Sequence, residues 1–188
     1  MALGSFSPAF ADGPPDDLIE IQTREAAAVA AYPRPKNLRI SDITIPGSQR
    51  QIPARLYQPL DEHGNLLTGP LPIFVWFHGG AFIFGDINMG EAEFTSCEVA
   101  AQANAVTISV DYKLADADVR FPCSQVDGID AVLWAREHAG SWHANPDKLF
   151  IGGASAGAFL AGSVSLMLRD RGIKPAGILP IYPAAHQI

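Results

Sequence analysis

The stretch Leu149-Phe150-Ile151-Gly152-Gly153-Ala154-Ser155-Ala156-Gly157-Ala158-Phe159-Leu160 limits what this chain can fold into more than any other. A short apolar run enters it, a small-residue turn crosses it, and a helix-compatible run leaves it. The centre reads G-x-S-x-G, from Gly153 to Gly157, with Ser155 in the middle. Between a strand and a helix this pattern predicts a sharp, strained turn that lifts the serine hydroxyl above the end of a sheet, where it can act as a nucleophile. The glycines on either side have a steric reason: side chains there would collide with the neighbouring strand and helix. A Gly/Ala/Ser-rich turn into a buried helix satisfies the same pattern, so the reading depends on what surrounds it.

The surroundings alternate between strand and helix. Leu71–Phe77 is apolar throughout, the mark of a strand covered on both faces. Residues 91–104 read as a helix and Ala105–Val110 as a second buried strand. Ser124–Ala139 reads as an amphipathic helix with Val126, Ile129, Val132 and Leu133 on one face. Ser124 with Asp127 resembles a capping box for it, and Gly140 a stop. Lys148–Ile151 is the strand entering the serine turn, 156–171 an apolar helix ending at Gly172, and Ala176–Tyr182 the last strand. Such alternation implies a parallel α/β sheet. Upstream, residues 1–14 are Gly/Pro/Ser-rich and expected to be loose. Pro15–Ala31 reads as a helix with Asp16 and Asp17 at its positive end, stopped by Pro33 and Pro35. Leu38–Ile45 and Ile52–Tyr57 form an antiparallel hairpin at a sheet margin, with Pro53 suited to an edge.

Composition narrows the partners. A 48% hydrophobic and 18% charged sequence of 188 residues describes one well-buried domain. With 13 basic and 20 acidic residues the net charge is −7, which disfavours nucleic acid and anionic membrane as main partners. Cys97 and Cys123 are too few for a disulfide framework and suit a reducing compartment. No window approaches the ~18 apolar residues of a membrane span, and no basic segment leads into a sustained apolar run at the N-terminus. The expectation is a cytoplasmic protein. No P-loop, G-x-G-x-x-G or zinc-type cluster is present, so neither cofactor nor metal is expected.

A second constellation, His78-Gly79-Gly80-Ala81-Phe82, follows the buried strand 71–77 directly. Glycines there let backbone N–H groups converge on one point, which is how an oxyanion hole is built. Both motifs fall at the C-terminal ends of parallel strands, where open α/β sheets place their sites.

With Asp111-Tyr112-Lys113-Leu114-Ala115, Phe121-Pro122, Asn145-Pro146-Asp147-Lys148 and Gly152-Gly153-Ala154-Ser155-Ala156-Gly157, these residues resemble, in order, the hormone-sensitive-lipase-like α/β hydrolases, which include carboxylesterases and arylacetamide deacetylases. The resemblance covers roughly residues 35 to 183. It implies an α/β-hydrolase three-layer sandwich and hydrolysis of small acyl esters through Ser155. The amides of Gly80, Ala81 and Ala156 would bind the oxyanion, with Gly79 shaping the turn. His78 would hold the turn, and Gly153 and Gly157 would support the elbow. Phe82 and Phe84 are candidate pocket walls. It divides the chain into a flexible N-terminus with a cap-like helix, 1–35, and a hydrolase domain, 36–188.

Four departures from the family pattern stand out. Ala81 replaces a third glycine, Ala154 the usual Asp, and Asp116 the usual Pro. The fourth concerns the catalytic acid and base, which the family places after later strands. After Ser155 the sequence offers only Asp170, about 22 Å along the following helix, and His186. Neither resembles the family's acid or base, and His138 and His143 come too early. The expectation is a fold that stops after the strand following the serine helix, with strand 176–182 left as an open edge that invites self-association. A non-catalytic ligand-binding homologue, as in the plant gibberellin receptors that resemble the same family, and an inactive truncated fragment are the alternatives.

Overall fold

The computed structural model describes residues 16–183. The expected loose segment 1–14, Pro15 and His186 lie outside the described residues. α1 (Asp16–Ala31) precedes a hairpin of β1 (Leu38–Pro46) and β2 (Gln51–Pro59). There follow β3 (Leu71–Phe77), α2 (Gly90–Gln102), β4 (Val106–Val110), α3 (Cys123–His138), β5 (Ala144–Ala154), α4 (Ala156–Arg169) and β6 (Gly177–Ile181). The sheet runs β1-β2-β4-β3-β5-β6. β1 pairs antiparallel with β2, and β2 antiparallel with β4. From β4 through β3 and β5 to β6 every pairing is parallel. This is the expected α/β sandwich, a mostly parallel sheet with an antiparallel N-terminal hairpin.

β3 shows why the sheet is buried on both faces. Ile73, Val75 and Phe77 pack into the large core with Ile129, Val132, Leu160 and Val164 of α3 and α4. Phe74 and Trp76 point the other way, toward Met89 and Ala92 at α2. A strand so placed has no polar face to spare, which is why its sequence is continuously apolar. The two layers hold the ends of β3 and β5 fixed, and those ends carry the site.

Several local expectations are corrected. Pro53 is not on an edge strand, because β2 lies between β1 and β4. Its carbonyl accepts from Asp111 N–H at 3.0 Å, so its missing donor faces the point where the β4 ladder, which begins at Ala54, runs out. No capping box forms on α3, whose N-cap is Pro122 with no side-chain bond. Ser124 Oγ instead donates to Lys113 O at 2.7 Å, and Asp127 accepts from Lys113 N–H at 2.8 Å. Gly140 does not stop the helix. A 3₁₀ turn carries the chain from Ala139 to Trp142 and ends at His143 in the left-handed region. Leu133 is exposed, since α3 buries Gly128, Ala131 and Ala135 beside Ile129 and Val132.

α1 is docked on α2. Tyr32 packs on Phe94 in a tilted arrangement with ring centroids 4.6 Å apart, and its hydroxyl donates to Glu98. Among the described residues no helix is long and apolar enough to cross a membrane.

Candidate active site

Ser155 stands between β5 and α4 with φ 51° and ψ −113°, a conformation that L-residues adopt only under constraint. The constraint is visible in the backbone. Ser155 N–H donates to Ile181 O of β6 at 2.9 Å, and Ser155 O accepts from Phe159 N–H at 3.1 Å. Gly157 presses on the end of β3: a β-carbon there would sit 2.0 Å from Phe77 O and 2.4 Å from His78 O. One at Gly153 would meet Gly157 O at 2.2 Å. The G-x-S-x-G spacing is therefore read out as two close backbone approaches.

The second constellation is brought to the same place. A β-carbon on Gly79 would lie 3.8 Å from Ser155 Cβ and 3.5 Å from Ala154 O. Gly80 has φ 107°, which only glycine adopts freely, and Ala81 and Phe82 follow at 52° and 66°. The turn is closed by Ile83 and Phe84 N–H, which both donate to Gly80 O. Among the described residues the amides of Gly80, Ala81 and Ala156 carry no hydrogen bond. The Gly79 amide does: it donates to Glu91 Oε1.

His78 is fully buried, with Nδ1 2.7 Å from Gly79 O and its ring stacked on Tyr112 at 4.3 Å. Burial pushes its imidazole down to about 4, so it stays neutral and holds the turn. Its Nε2 lies 4.0 Å from Asp111, whose carboxyl burial pushes up to about 6. Tyr112 OH donates to His78 O at 2.9 Å. Asp127 joins this motif to the hairpin, pairing with Arg50 Nε at 2.8 Å while Arg50 Nη2 donates to Asp111 O.

Phe82 and Phe159 meet edge to face at 6.2 Å and help line an apolar cavity of about 220 Å³ with Ala115, Phe121 and Cys123. Phe84 packs against Phe74 and Trp76 in the core instead. Asp170 and the histidines after β2 and α3 are placed elsewhere in the fold. Asp170 ends α4, exposed and bonded to Arg169. His143 O accepts from Leu71 N–H at the opposite end of β3, His138 stacks on Trp134, and His63 is in the exposed loop after β2. Glu91 carries no sequence motif, and its role emerges only from the fold.

A family model described as alpha/beta hydrolase fold matches residues 74–188. An AB hydrolase superfamily protein of Schizosaccharomyces pombe is 40% identical over 129 residues, 66% of this chain and 36% of that one. A carboxylic ester hydrolase of Mycobacterium tuberculosis, LipN, is 31% identical over 169 residues, 88% of this chain and 42% of that one. The solved structure of a hyperthermophilic esterase from the archaeon Pyrobaculum calidifontis superposes with a TM-score of 0.78 at 32% identity, over 88% of this chain and 52% of that one. The chain thus spans about half, or less, of the length of the relatives it matches.

Proposed function

The chain belongs to the alpha/beta hydrolase fold family, and from that premise we propose that Ser155 is the nucleophile of a hydrolase acting on carboxylic esters. One observation carries the reading: a serine in a strained left-handed turn is packed against a glycine turn whose next amides have no partner among the described residues. In the proposed reaction Ser155 Oγ bonds to the acyl carbon while its proton passes to a histidine. The carbonyl electrons move onto oxygen, and the amides of Gly80, Ala81 and Ala156 receive that charge. Collapse breaks the ester C–O bond, the histidine returns the proton to the departing alcohol, and the acyl group stays on Ser155. Water repeats the sequence, releasing the acid and restoring the hydroxyl. The apolar cavity beside Phe82 and Phe159 would take a small acyl or alcohol group. Cys97 and Cys123 are free thiols, not joined in a disulfide.

A serine hydroxyl is a weak nucleophile without a positioned base. We therefore expect the 188-residue chain alone to hydrolyse p-nitrophenyl butyrate barely above background, with little change on Ser155→Ala. Loss of the histidine in serine hydrolases costs on the order of 10⁶ in turnover, leaving ~10³–10⁴ over water. Added imidazole, as a diffusible base, should restore an increment that Ser155→Ala removes. If imidazole gives no Ser155-dependent increment, the assignment is wrong. Robust turnover without imidazole, abolished by Ser155→Ala, would mean that the chain supplies its own base, with His186 the first residue to substitute.

A further inference from the structure

Glu91 lies in the first turn of α2, mostly buried, and among the described residues no cation pairs with it. Both of its oxygens take N–H donors from the end of β3 instead. Oε2 accepts from Trp76 Nε1 at 3.0 Å, and Oε1 accepts from the backbone of Gly79. The second contact matters for the geometry of the turn. The peptide joining His78 to Gly79 is planar. Its N–H is held by Glu91, and its carbonyl, His78 O, is held by Tyr112 OH at 2.9 Å. A peptide plane gripped at both ends cannot rotate.

The next peptide inherits that orientation. Gly79 O receives the Tyr112 hydroxyl at 3.3 Å and faces His78 Nδ1 at 2.7 Å. In a trans peptide the N–H points opposite to the C=O, so the Gly80 N–H is aimed away from Tyr112 and His78. Without the Glu91 contact the His78–Gly79 peptide would be held only at its carbonyl, and Gly79, which has no side chain to limit φ and ψ, would be freer to turn and loosen the common direction of the free amides.

We propose, resting on the ester-hydrolase reading, that Glu91 is a positioning residue for the oxyanion turn: by taking the Gly79 and Trp76 N–H groups it locks the His78–Gly79 peptide and keeps the Gly80 and Ala81 amides available beside Ser155. Glu91 touches no substrate and acts through Gly79. α1 supports it from outside, since Glu25 and Val29 lie against the start of α2, where a β-carbon on Gly90 would sit 3.9 Å from Glu25 Cβ and 3.8 Å from Val29 Cγ2. Burial pushes the Glu91 carboxyl up to about 7, and the neighbouring Glu25 adds to the shift. Tyr112, after β4, and Tyr182, after β6, also sense its charge. The grip is tightest when Glu91 is ionised, because protonation of one oxygen weakens one of its two acceptors.

The test is a pH series of ¹H–¹⁵N NMR spectra of the 188-residue chain, following the Gly79 amide and the Trp76 indole N–H. Both resonances should move together, with one midpoint at about 7. In Glu91→Gln both should lose that pH dependence while the Gly80 and Ala81 amides keep their wild-type positions, the side-chain carbonyl still accepting from Gly79. In Glu91→Ala the Gly80 and Ala81 amides should shift and exchange with solvent about 10-fold faster. Separate midpoints for the two N–H groups, or a titration that persists in Glu91→Gln, would overturn the proposal. So would Gly80 and Ala81 amides unmoved in Glu91→Ala. If Glu91→Ala does not fold, the wild-type and Glu91→Gln series decide. Ester turnover is not read, so failure of the Ser155 assignment would leave these results standing.

Discussion

Gly157 lies at the contact between α4 and β3, and a single added carbon there tests how closely the two elements must meet. Gly157→Ala would set a methyl group 2.0 Å from Phe77 O, which neither rigid backbone can absorb. Chemical denaturation should show a loss of at least about 1–3 kcal/mol. Gly162→Ala, further along α4, meets nothing within 4 Å and should instead gain about 0.5–1 kcal/mol from helix propensity. Equal effects at both positions would mean that the elbow is not held by backbone contact. Gly153, Ser155 and Gly157 were legible in the sequence because a close backbone approach admits little besides glycine, and so leaves a fixed spacing. Glu91 was not, since its partners are a backbone amide 12 residues upstream and an indole. Nothing in a carboxylate's sequence neighbourhood records a contact with a main-chain N–H.

The elements were legible to the degree that their apolar pattern was their own. β3 and β4, buried on both faces, appear in the sequence as unbroken apolar runs. The start of α3 was misread because Ser124 and Asp127 have the residue types of a capping box but are drawn to Lys113 on a neighbouring segment. Tertiary partners outbid the local cap. The N-terminal segment is joined to the sheet by a similar hidden device. Glu93 of α2 is fully buried and meets Arg34 Nε at 2.6 Å, Arg55 Nη1 at 3.3 Å and Tyr57 OH at 2.9 Å. It thus links the segment after α1 to β2 through α2. Glu93→Ala should cost about 3–5 kcal/mol, because it leaves the largely buried Arg55 guanidinium short of charge. Arg34→Ala should cost much less, since Arg34 is 51% exposed and solvent screens it. Comparable losses in urea denaturation would place the weight of the cluster on Arg34 instead.

In the whole molecule, the alternation of strand and helix gave the α/β class, whereas the insertion of β4 between β2 and β3 was not readable. That order arises when the chain returns over the sheet through α2, and sequence pattern carries no record of which strand a crossover lands beside. The same order puts β6 at the margin among the described residues. There Ile178 is 47% and Leu179 45% exposed, and Phe150 on the neighbouring β5 38%. These three also line an apolar hollow of about 410 Å³ with Phe74 and Val99. An unpaired strand edge beside exposed apolar side chains is a template for another strand, and a net charge of −7 spread over the whole chain is weak opposition at the contact itself. Pro180 removes one donor from β6 but leaves its neighbours able to pair. The 188-residue chain should therefore elute from size-exclusion chromatography as dimers or larger species, increasingly so at higher concentration. Leu179→Lys, which sets a charge on that edge, should shift the profile toward monomer. A sharp monomer peak for the unsubstituted chain, stable over days at high concentration, would mean that the β6 edge is closed to other strands.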